Sequence, residues 1–153
     1  MSFSDDLDRQ RAHVMRLVRQ AGTDWAAAMR AHKLAPPDSG FAARLRALAQ
    51  AGESGQIAWE HAHAAGLSWH PIVGAEHSEP PYELRPGTGR RGPEDLWSRF
   101  DAAVGALNRA IQGSEAAVVA DAFGDISAAA GALADAVARA DDAASHGRAR
   151  GAA

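Results

Sequence analysis

The sequence predicts an all-α protein: a bundle of four or five helices with an antiparallel C-terminal helical hairpin and a proline- and glycine-rich central crossover loop. Three observations lead there. Apolar residues recur at alternating three- and four-residue steps on both sides of the chain's centre, the spacing that gathers them on one face of an α-helix. Alanine, the strongest helix former, fills much of the remainder. Between Trp69 and Pro93 lie five of the seven prolines, the sole tyrosine and four glycines, so neither a long helix nor a central strand can pass through. With 153 residues, one helical domain over 1–153 is the expectation.

The first helix is expected over about residues 4–33. Ser4 can cap it, and Asp5, Asp6 and Asp8 place negative charge at the positive end of the helix dipole. Leu7, Val14, Val18, Ala21, Trp25 and Ala28 form its seam, interrupted by Arg11. Gly22-Thr23-Asp24 leaves one kinked helix or two as alternatives, and Pro36-Pro37 ends the segment. Two short helices follow, at 39–51 and 55–65. Asp38 or Ser39 can cap the first, which carries Phe41, Leu45 and Leu48 and closes at Gly52; Ser54 can cap the second, which closes at Gly66.

Beyond the loop at 67–93, Pro93 suits a first helical turn, and Glu94 and Asp95 continue it. A helix over 94–112 then aligns Trp97, Phe100, Val104, Leu107 and Ile111, and Gly113-Ser114 turns the chain. The last helix, 115–144, has the seam Val119, Phe123, Ile126, Ala130, Leu133, Val137 and Ala140. So short a turn makes these two helices an antiparallel hairpin. The tail 145–153 is expected to fray. Small residues beside the last seam (Ala122, Ala129, Gly131, Ala136) allow close approach but bury little apolar area, so this helix needs cover from the N-terminal helices or from a second copy across a twofold axis.

Composition narrows the function classes. The net charge of -3 gives no global attraction to nucleic acid or anionic lipid. The absence of cysteine removes disulfides, thiolate nucleophiles and cysteine-ligated metals. No run approaches the ~18 consecutive apolar residues of a membrane span, and the N-terminus carries acidic residues without an apolar stretch, so a cytoplasmic protein without a membrane role is expected.

Three features carry possible chemistry. Ala62, Gly66, Leu67, Ser68 and Ile72 resemble the middle of a helix-turn-helix DNA-binding motif, which implies duplex contact. No Lys or Arg occurs from Ala47 to Leu84, however, while five glutamates do, and such a surface repels phosphates. The second feature is His61, His63, His70 and His77 with neighbouring glutamates. Glu60 and His63 share a helical face and, joined by His70 and His77, form a candidate transition-metal site. His61 points roughly 160° from His63 on a helix and cannot chelate with it. Glu60-x-x-His63 resembles half of the ferritin-like di-iron pattern, but a second copy is missing. The third is Gly87-Thr88-Gly89-Arg90-Arg91-Gly92, a formal GxGxxG without the βαβ unit that gives the fingerprint its meaning. There Arg85, Arg90 and Arg91 are candidate anion- or partner-binding residues, with Arg44 and Arg46 as helpers in a nucleic-acid reading. No convergent catalytic set is visible and no cofactor is predicted. The expectation is therefore a non-catalytic interaction or assembly protein that self-associates or binds a protein partner. A metal-binding protein or metal-dependent enzyme, and a nucleic-acid-binding regulator, are the alternatives.

Overall fold

The computed structural model describes residues 3–34, 40–66, 91–113 and 115–151, and these are all-helical. Among them run four helices: α1 (Phe3–Leu34), α2 (Phe41–Ala64), α3 (Glu94–Gln112) and α4 (Ala116–Gly151). The expected loop at 67–93 lies, except for Arg91, Gly92 and Pro93, outside the described residues.

Helix α1 runs without interruption through Gly22-Thr23-Asp24. Its buried stripe is Val14, Val18, Ala21, Trp25, Met29 and His32. The expected seam is thus corrected at both ends. Leu7 is exposed, as is every residue from Asp5 to His13, and Met29, four residues after Trp25, continues the stripe, with Ala28 partly buried against the core.

One continuous helix, α2, replaces the two expected at 39–51 and 55–65. Gly52, expected to close the first of these helices, and Gly55 are both buried and face α4. A Cβ at Gly52 would lie 3.0 Å from Phe123 O and Ser127 N, and one at Gly55 would lie 2.7 Å from the Phe123 ring. Their lack of side chains lets two backbones approach, and the packing gained outweighs a helix-propensity cost of about 1 kcal/mol per glycine. Gly66, at φ +66°, closes the segment as expected, its N–H donating to His63 O at 3.0 Å.

Backbone neighbours are α1 with α2, α2 with α4, and α4 with α3, and the α2–α4 contact is the most extensive. Side chains close the remaining side. Trp25 meets Phe123 edge-on at 6.0 Å, and His32 stacks on Trp97 at 5.8 Å. The stripes expected for α3 and α4 are buried from Trp97 to Leu107 and from Val119 to Val137, while Ile111 is half-buried and Ala140 exposed. Helix α4 is central, covered by α2 and α3 rather than mainly by α1. It contains an 18-residue window of mean hydropathy 1.4, long and apolar enough by composition to cross a membrane, and half of that window is buried within the bundle. Past Val137 it continues as helix to Gly151, where fraying from Ser145 was expected, with exposed side chains at 142–147.

Candidate interaction surface

At one end of the bundle the starts of α2 and α3 meet the end of α1. Phe41 lies against His32 and Trp97, with ring centroids 5.5 and 6.2 Å away, and Trp97 meets Phe100 edge-on at 5.6 Å. Burying an indole requires a partner for its N–H. Trp97 Nε1 donates to Arg91 O at 2.9 Å. Gly92, at φ +115°, takes the chain into α3 beside Leu133 and Val137, in a backbone region where side chains are strained.

Arg91 is thereby assigned a structural position. Its guanidinium forms a forked ion pair with Asp141, fifty residues later, and lies 5.9 Å from the Phe41 ring centroid. Arg44 sits 5.9 Å from the same ring, and Arg46 is exposed on α2. Arg85 and Arg90, the other arginines of the predicted anion site, lie outside the described residues.

The histidine cluster divides in the same way. Glu60, His61 and His63 are exposed on the last turns of α2, whereas His70 and His77 lie outside the described residues. Among the described residues, no three His, Asp or Glu side chains are grouped to hold a metal ion.

Two open concavities lie along α3 and α4. One, of about 320 Å³, is lined by Arg99, Ala102, Ala103, Ala106, Asp125, Ala128 and Ala129. The next, of about 510 Å³, is lined by Ala106, Arg109, Ala110, Gly113, Glu115 and Val118. Ala106 borders both, so they join into one groove. Its floor is made of small residues because Ala103, Ala110 and Ala129 are buried where the helices touch. Its rims differ in charge: Arg99 and Arg109 on α3, Glu115 and Asp125 at the start and along the length of α4. Among the described residues, none of these four charged side chains takes part in an ion pair or side-chain hydrogen bond. Val118 is 45% exposed beside the groove.

This surface was not expected from the sequence. A signal was present: Arg99, Ala102, Ala106 and Arg109 repeat the three/four step of the core stripe, offset by two residues onto another face. Alanine at such positions reads as helix filler, which concealed it. No protein-family model matches the chain, and neither the curated proteins nor the solved structures contain a significant match to it.

Proposed function

We propose that this chain is a non-catalytic helical assembly protein that works through protein contacts and self-associates. The carrying observation is the α3–α4 groove, an open, small-residue surface with Val118 exposed beside it and charges of both signs on its rims that are unbridged among the described residues. Small residues admit a neighbouring helix at close range, and rim charges select its orientation. We further take α3 and α4 as the antiparallel hairpin. Arg91 and Gly92 beside Asp141, Val137 and Leu133, and Arg109 beside Glu115 and Val118, support that direction. A cytoplasmic location fits this reading, with α4 apolar because it forms the centre of the bundle.

Chemical cross-linking across a concentration series tests the function. A cross-linked dimer that grows with concentration is expected. A chain that stays single at hundreds of micromolar, with no protein partner retained on an immobilised column, contradicts it.

A further inference from the structure

We infer that the second copy docks on the α3–α4 groove about a twofold axis parallel to the helices. This geometry rests on the self-association and the antiparallel hairpin proposed above, and adds the surface and its symmetry. Arg99 and Asp125 line one depression, so they stand within a turn or two of each other along the bundle; Arg109 and Glu115 share the other. Rotation about an axis parallel to the helices preserves height and exchanges sides. It lays α3 of one copy on α4 of the other, which brings Arg99 opposite Asp125 of the partner subunit and Arg109 opposite Glu115 of the partner subunit. Symmetry repeats both pairs.

The other face-to-face arrangement, a twofold axis across the helices, lays α3 on α3 and α4 on α4. Arginine then meets arginine and carboxylate meets carboxylate, a costly juxtaposition. Opposite rims therefore choose one dimer from two, while the alanine floor lets the helices approach.

The groove also bounds the strength of the contact. A 19-residue helix is about 28 Å long, and two helices side by side offer a footprint of roughly 550 Å² per copy. Stable complexes average about 800 Å² per partner, which puts this contact in the weak, reversible class.

The test is a charge swap read by sedimentation velocity at tens to hundreds of micromolar. One variant carries Arg99→Glu with Arg109→Glu, the other Glu115→Arg with Asp125→Arg. All four positions are exposed, so both variants should fold, and circular dichroism checks that they do. Each variant alone should self-associate at least about tenfold more weakly than wild type, and an equimolar mixture should recover the wild-type dimer. Loss in both variants without recovery on mixing overturns the parallel axis. Wild-type association that neither variant changes overturns the groove as the surface and leaves self-association standing. A wild-type chain that remains single overturns the inference together with self-association.

Discussion

A Cβ placed on Gly55 would fall 2.7 Å from the ring of Phe123, closer than side chains pack without movement. Phe123 cannot retreat easily, since it is buried and meets Trp25 edge-on on α1. Gly55→Ala should therefore destabilise the fold by about 1–2 kcal/mol, because overpacking exceeds the roughly 1 kcal/mol of helix propensity gained. Gly131→Ala, where a Cβ meets nothing within 4 Å, should have the opposite sign, with a gain of up to about 1 kcal/mol. Urea unfolding of the two variants checks both.

Among the described residues Trp97 is the largest fully buried side chain, and it joins α3 to the end of α1 through His32 and to the start of α2 through Phe41. Trp97→Ala should cost about 3–5 kcal/mol from lost burial and the cavity left behind. Trp97→Phe should cost less, about 1–2 kcal/mol, mainly through the hydrogen bond to Arg91 O. Thermal unfolding orders the pair.

The Arg91–Asp141 ion pair holds the start of α3 to the far part of α4, but its side chains are 30% and 40% exposed. Screening limits such a pair to about 1 kcal/mol or less. Asp141→Asn should lower the unfolding free energy within that limit, and the difference from wild type should shrink in 1 M salt.

No residue between Asp5 and His13 is buried. Removing residues 1–11 should change stability by less than about 1 kcal/mol, since residues 5–11 of α1 are exposed and bury no core surface. A larger loss in urea unfolding would show that the segment packs on something.

His61 and His63 are exposed on α2, so replacing either with alanine should leave stability within about 0.5 kcal/mol of wild type. Zinc or nickel should leave the unfolding temperature of wild type unchanged. A metal-dependent rise that His63→Ala abolishes would establish a metal site in the 60–77 region.

The helical seams were legible because burial imposes a period, and Trp97–Leu107 and Val119–Val137 follow it. Gly52 was expected to end a helix because a glycine that ends a helix and one that admits a neighbouring helix look alike without the neighbour. Leu7 has the apolar character of a seam residue, but burial depends on where the adjoining helix stops, and no local pattern records that. Glu60 and His63 do share α2, as their spacing implies. The groove joins α3 to α4, and a stripe analysis of either helix alone sees half of it.

Sedimentation equilibrium of the wild-type chain, from low to high micromolar in low salt, tests self-association most directly. A reversible shift from the mass of one chain to that of two, weakened by added salt as the opposed rims require, is the predicted result. A single-chain mass throughout that range would contradict it.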